Sequence, residues 1–96
     1  MPTAYILLNT EIGAEKQVLR ALRKIEGVAE AHSLWGVYDI IANIEAESME
    51  KLRYIITKRI GKISRLNSKL TMIITDPKVA TQEQVIFEPT PLLQQA

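Results

Sequence analysis

Cysteine is absent from the chain. Disulfide frameworks, thiolate metal sites and thiol nucleophiles are therefore excluded. The one histidine, His32, leaves almost no material for Ser–His catalysis or for a histidine-rich metal centre. No apolar run approaches the roughly 20 residues that span a bilayer. The stretch Met1-Pro2-Thr3-Ala4-Tyr5-Ile6-Leu7-Leu8-Asn9 is too short, and lacks the preceding basic region, to read as a secretory signal. An excess of one charge is missing too: Lys+Arg 12 against Asp+Glu 11 gives +1, so no global field draws the chain to nucleic acid or to an anionic membrane. These absences leave a cytoplasmic protein as the expectation, with no membrane partner, no metal and no cofactor.

What is present is an ordinary globular composition, 47% hydrophobic and 24% charged, in 96 residues. That is one domain by length. A core of this size is modest, and oligomerisation is an expected source of further stability.

Periodicity divides the chain into six elements. Thr3 to Asn9 is an apolar run with aromatic and β-branched content that suits a buried strand. Ala14 to Ile25 is helical, with Val18, Leu22 and Ile25 at i, i+4 and i+7, and Leu19 and Ala21 widening the stripe. Glu15 in the first turn and Arg20, Arg23 and Lys24 late complement the helix dipole, and Gly27 suits the left-handed position beyond the helix end. Val28 to Trp35 and Tyr38 to Glu45 read as strands joined by a tight turn at Gly36-Val37. Ser48 caps a helix from Met49 to Ile60 whose stripe is Leu52, Ile56, Ile60 and Ile63, with Ile55 beside it. Leu66 to Thr75 returns to strand, with Leu66, Ser68, Leu70, Met72 and Ile74 on one face.

The order βαββαβ predicts an α+β, ferredoxin-like fold: an antiparallel sheet with both helices on one face. The opposite face of such a sheet should be polar in a monomer. Here Tyr5 and Leu7 oppose Ala4, Ile6 and Leu8 across the first strand, Ile41 adds to the second face of the third strand, and the last strand carries Leu70, Met72 and Ile74 against Ile73. A sheet apolar on both faces predicts a sheet-to-sheet homodimer, like a dimeric α/β barrel.

Gly36-Val37-Tyr38-Asp39 has two readings. As a hairpin turn, glycine supplies a positive φ and Asp39 bonds nearby amides. As a small-ligand clamp, glycine lets backbone approach a ligand, free amides receive a carboxylate and Asp39 receives an ammonium, a pairing that suits an amino acid.

The wider pattern resembles the ligand-binding module of the leucine-responsive regulator/asparagine regulator (Lrp/AsnC) family over Thr3–Asp76. The matching stretches are Ala4-Tyr5-Ile6-Leu7-Leu8-Asn9-Thr10, Gly13-Ala14-Glu15, Ile25-Glu26-Gly27-Val28, Gly36-Val37-Tyr38-Asp39-Ile40 and Leu70-Thr71. The resemblance implies residues 1–76 as an effector-binding domain, a dimer often assembled further to an octamer, and a small-molecule effector, an amino acid, held near the hairpin and the start of the last strand. It implies Gly36, Tyr38 and Asp39 as motif residues, Trp35 and Val37 as neighbours of the ligand, and Ser68 and Thr71 as polar positions of the last strand. Members of the family usually carry an N-terminal helix-turn-helix, which this sequence does not show. The expectation is a stand-alone module without direct DNA binding, acting through its own oligomers or through full-length family regulators. The family also tends to show Gly-Val before the last strand and Thr two residues before Thr71, where this chain has Arg65-Leu66 and Lys69.

Residues 77–96, with Pro89, Pro91 and the triplet Val85-Ile86-Phe87, read as a C-terminal extension that could dock on a partner. Lys51 to Lys69 holds Lys51, Arg53, Lys58, Arg59, Lys62, Arg65 and Lys69 with no acid, either a solvated helix face or a patch for a polyanion. His32 shares a strand face with Glu30 and reads as a surface or interface residue, and Trp35 as interface filler or ligand platform. The weighed alternatives to a sensor are a ligand-free structural adaptor of longer family members and a small dimeric α/β-barrel enzyme. The enzyme would have only Asp39, Asn43, His32 and scattered Lys/Arg to work with.

Overall fold

The computed structural model describes residues 1–75; the expected extension 77–96 lies outside the described residues. The elements are β1 (Thr3–Thr10), α1 (Glu15–Arg23), β2 (Val28–Ser33), β3 (Ile40–Glu45), α2 (Met49–Tyr54) and β4 (Leu66–Ile74). The sheet order is β2-β3-β1-β4 and every pairing is antiparallel, the expected ferredoxin-like α+β arrangement.

Alternation decides what each strand buries. In β1, Ala4, Ile6 and Leu8 are fully buried beneath the helices, opposite Ile44, Ala42 and Ile40 of β3. Val18 and Leu22 of α1 and Leu52, Ile55, Ile56 and Ile60 from the second helical segment close the same core, with Ala31 of β2 at its margin. The other face of β1 presents Tyr5 and Leu7, directly opposite Met72 and Leu70 of β4, with Ile41 facing Leu7 from β3. Tyr5, Leu70, Met72 and Ile74 are all exposed. This surface is continuous across three strands, and no helix of the described residues lies over it.

The helices show where local signals hold and where packing overrides them. Ser48 caps α2 as its sequence position suggests, its Oγ accepting the Lys51 amide at 3.1 Å. Beyond Tyr54 the helix widens into a π turn over Ile55–Arg59 and tightens into a 3₁₀ turn over Ile60–Lys62. The extra residue per turn lets Ile55, Ile56 and Ile60 all reach the core. α1 ends at Arg23 rather than Ile25, and a turn closed by the Val28 amide on the Ile25 carbonyl at 3.1 Å carries the chain to β2. Gly27 occupies the left-handed position of that turn, φ 101°.

Three expectations fail in detail. No tight turn forms at Gly36-Val37; β2 stops at Ser33, β3 begins at Ile40, and the loop between them is closed by the Leu34 amide on the Asp39 carbonyl at 2.8 Å. Gly36 is not left-handed; positive φ occurs at Gly13, Gly27 and Arg65. Leu66 does not share the bare face with Leu70 and Met72. The β1–β4 register shifts between Asn9 and Thr10, so Leu66 pairs with buried Thr10 and packs against the core.

Gly27 is the position least tolerant of a side chain. A Cβ there would lie 2.6 Å from Ile55 Cδ1 and 3.3 Å from the Glu45 carbonyl oxygen. Gly27→Ala is expected to cost about 1–3 kcal/mol in urea denaturation, from left-handed strain and overpacking together. Gly61→Ala, with 3.6 Å to its nearest neighbour and ordinary φ, is expected to be neutral or stabilising by up to about 1 kcal/mol.

Candidate functional site

The last residues of β1, the β2–β3 loop and the start of β4 meet at one end of the sheet, and Asp39 ties them together. Its amide donates to the Leu8 carbonyl at 2.9 Å. Its Oδ2 accepts the Thr10 amide at 2.9 Å and the Thr10 hydroxyl at 3.5 Å. A charged acceptor on a backbone amide is among the stronger protein hydrogen bonds. Oδ1 has no donor among the described residues. Thr10 is the buried polar residue of the described core, and its carbonyl accepts Asn67 Nδ2 at 3.2 Å.

The β4 side of this junction is strained and compensated. Arg65, a residue with a Cβ, adopts φ 70°. Left-handed backbone costs a residue with a Cβ about 1–2 kcal/mol. Three hydrogen bonds offset that cost: the Arg65 carbonyl accepts the Glu11 amide at 2.9 Å, Nε meets Glu11 Oε1 at 3.2 Å, and Nη1 donates to Gln17 Oε1 at 3.3 Å.

Of the seven residues singled out from sequence, the structure brings six to this end. Trp35, Gly36 and Val37 form the exposed tip of the β2–β3 loop, and Tyr38 and Asp39 its half-buried base. Ser68 joins through its Oγ, which accepts Asn9 Nδ2 at 3.2 Å on the face without helices. Thr71 is set apart. It pairs with Ile6, so it points to the helical side and sits further along the strand. Asp39 does not bond amides of its own loop tip, as the hairpin reading assumed; it reaches across to β1. Thr10, Asn67 and Arg65 are members of the junction that sequence reasoning missed. Only the alternation that buries Thr10 on the core side of β1 hinted at one of them.

Two further polar groups stand nearby or on the bare face. His32 Nε2 meets Glu30 Oε1 at 3.1 Å, both exposed, and among the described residues no three His, Asp or Glu side chains gather as metal ligands. Asn43, opposite Tyr5, has a buried Oδ1 with no hydrogen-bond partner among the described residues. A buried acceptor left unsatisfied costs about 1–3 kcal/mol.

A sequence model of the Lrp/AsnC ligand binding domain matches residues 3–83. A hypothetical protein from Pyrococcus horikoshii of known structure is 35% identical, with a TM-score of 0.74 over 78% of this chain and 90% of that one. An uncharacterized HTH-type transcriptional regulator of Pyrococcus furiosus is 27% identical over 74 residues, 74% of this chain and 49% of the regulator. The chain thus spans about half the length of the curated relatives it matches. A transcriptional regulator from Neisseria meningitidis, solved as a complex with L-Met, shares the fold at 13% identity, with a TM-score of 0.67 over 77% of this chain and 49% of that one. No helix among the described residues is long and apolar enough to cross a membrane.

The junction makes a direct prediction. Asp39→Ala removes the acceptor for the Thr10 amide and is expected to cost about 1–3 kcal/mol. Asp39→Asn, which keeps a carbonyl oxygen in place, should cost less. Hydrogen exchange of the Thr10 amide, faster in the alanine variant than in the asparagine variant, checks that the loss is local.

Proposed function

Because the chain belongs to the Lrp/AsnC ligand binding domain family, we propose that it is a regulatory sensor of transcription rather than an enzyme, working in the cytoplasm as a sheet-to-sheet homodimer that binds an amino acid at the loop end of its sheet. The observation that carries the reading is the convergence of Trp35, Gly36, Val37, Tyr38, Asp39 and Ser68 at one end of a sheet whose other face is apolar and not covered by the described residues. Asp39 Oδ1 is an unused anionic acceptor suited to an ammonium, and the exposed tip of the β2–β3 loop supplies apolar surface for a side chain. The L-Met complex of the Neisseria meningitidis regulator supports an amino acid as the ligand class. Thr71 belongs to the ligand site in this reading only if its hydroxyl is reached from the helical side.

Dimerisation follows from the hydrophobic effect. Covering Tyr5, Leu7, Ile41, Leu70, Met72 and Ile74 removes several large side chains from water at about 25 cal/mol per Å². A second copy offers the same apolar strip by symmetry and can place a donor over Asn43 Oδ1. Further assembly to an octamer, and mixed assembly with full-length regulators, are natural routes from ligand binding to a transcriptional response, because coupling between ligand and assembly is reciprocal.

A second reading rests on Asp39 itself. Its Oδ2 already serves Thr10, so the residue has a complete structural role without any ligand. In that reading the chain is a ligand-free adaptor that dimerises with longer family members.

Two measurements separate these accounts. In sedimentation velocity the wild type is expected to be a dimer at micromolar concentration, and Leu70→Asp combined with Met72→Asp is expected to give a folded monomer. A monomeric wild type would remove the dimer. In thermal-shift screening of the full chain against the twenty amino acids at about 10 mM, at least one should raise the midpoint by several degrees, since saturation at 100 Kd adds about 2.7 kcal/mol. No response from any amino acid would leave the adaptor.

A further inference from the structure

The net charge of +1 hides a strong polarisation. The helical segments Glu15–Arg23 and 49–62 hold Lys16, Arg20, Arg23, Lys51, Arg53, Lys58, Arg59 and Lys62, against Glu15 and Glu50. Between the helices runs an open groove of about 860 Å³. Its α1 wall is apolar, Ala21 with the neighbouring Ile25, and Ile63 adds to that surface. Its other wall carries Tyr54, Lys58, Arg59 and Lys62, and none of the described residues lining it is acidic. The α1 cations Lys16, Arg20 and Arg23 line a separate groove of about 320 Å³.

Two facts set this cluster apart from a solvated helix end. Lys and Arg near a helix C-terminus offset a partial charge of about half a unit, and three cations exceed that need. The ion pairs among the described residues, His32–Glu30 and Arg65–Glu11, involve none of the three. Arg59 is also positioned, its guanidinium carbon lying 5.8 Å from the Tyr54 ring centroid. Clustered cations beside low-dielectric walls focus a positive potential.

A groove with one apolar wall and one cationic wall selects an amphiphilic anion. The volume lies inside the roughly 300–1,000 Å³ usual for small-ligand sites. A long nucleic-acid backbone would be served by charge on both walls, and the α1 wall has none. We infer that the groove between α1 and α2 binds a nucleoside triphosphate, the base against Ala21, Ile25 and Ile63 and the phosphates on Lys58, Arg59 and Lys62. The site lies on the helical layer and stands independently of the amino-acid reading at the loop end.

Calorimetric titration of the full chain with ATP, tripolyphosphate and a mixed-sequence DNA duplex tests this, at about 50 mM salt to limit screening. ATP is expected to bind saturably, one per chain, and more tightly than tripolyphosphate. Lys58→Glu with Arg59→Glu should weaken ATP at least about tenfold, as removal and reversal of charge at contact distance requires. Both residues are exposed, and an unchanged thermal midpoint would show the fold intact. Lys62→Gln, a milder change, should weaken ATP by a smaller factor if the double variant does not fold. No saturable binding of ATP at about 1 mM, equal affinity for tripolyphosphate, or a duplex that binds more tightly than ATP would each overturn the inference.

Discussion

β1 is hydrogen-bonded on both edges and apolar on both faces, and the described residues place helices over only one of those faces. Ala4, Ile6 and Leu8 are sealed under α1 and α2, while Tyr5 and Leu7 head an uncovered strip that continues into β3 and β4. Antiparallel sheets ordinarily meet water with polar side chains. A small domain gains little from its own core, so leaving this strip wet would forgo much of the stabilisation available to it. On the same face, Asn43 has a buried Oδ1 without a hydrogen-bond partner among the described residues. The proposed dimer thus rests on the strand pattern, independently of any ligand.

The ends of the sheet are unlike in construction. At the loop end, Asp39, Thr10, Asn67 and Arg65 join three segments that are distant in sequence. The base of the β2–β3 loop is fixed by these bonds, and its tip, with Trp35 and Val37, stands free in solvent. The helical layer carries a different resource, a concentration of cations that the near-neutral total conceals. The sheet face, the loop end and the α1–α2 groove are therefore three separate surfaces: an apolar strip, a junction built around the Asp39 carboxylate, and a groove with an apolar and a cationic wall.

Much of the fold was legible in the residues because each element carries its own local signal. The 3.6-residue spacing of Val18 and Leu22, the Ser48 cap and the period-2 alternation of β1 and β3 depend only on near neighbours in the chain. Gly27 was legible for the same reason, although the contact with Ile55 that makes it sensitive was not. The candidate site was legible in part. The Gly-x-Tyr-Asp run stands out in sequence, yet its reading as a tight turn failed because Asp39 answers to the end of β1 rather than to its own loop. Thr71 and Ser68 lie three residues apart and so project to opposite faces, which splits a pair that looked alike in the sequence.

By itself, the sequence determined the order and kind of the six elements, the two-faced character of the central strand and the absence of thiol chemistry, all properties set by residue type and short-range spacing. Only the tertiary structure decided that Asp39 closes on Thr10, that a register shift sends Leu66 to the core, that the helix after Tyr54 widens into a π turn, and that Lys58, Arg59 and Lys62 line a groove facing an apolar wall. Each of those depends on the relative placement of segments far apart in the chain. That placement is fixed by strand register and core packing, which no local pattern encodes.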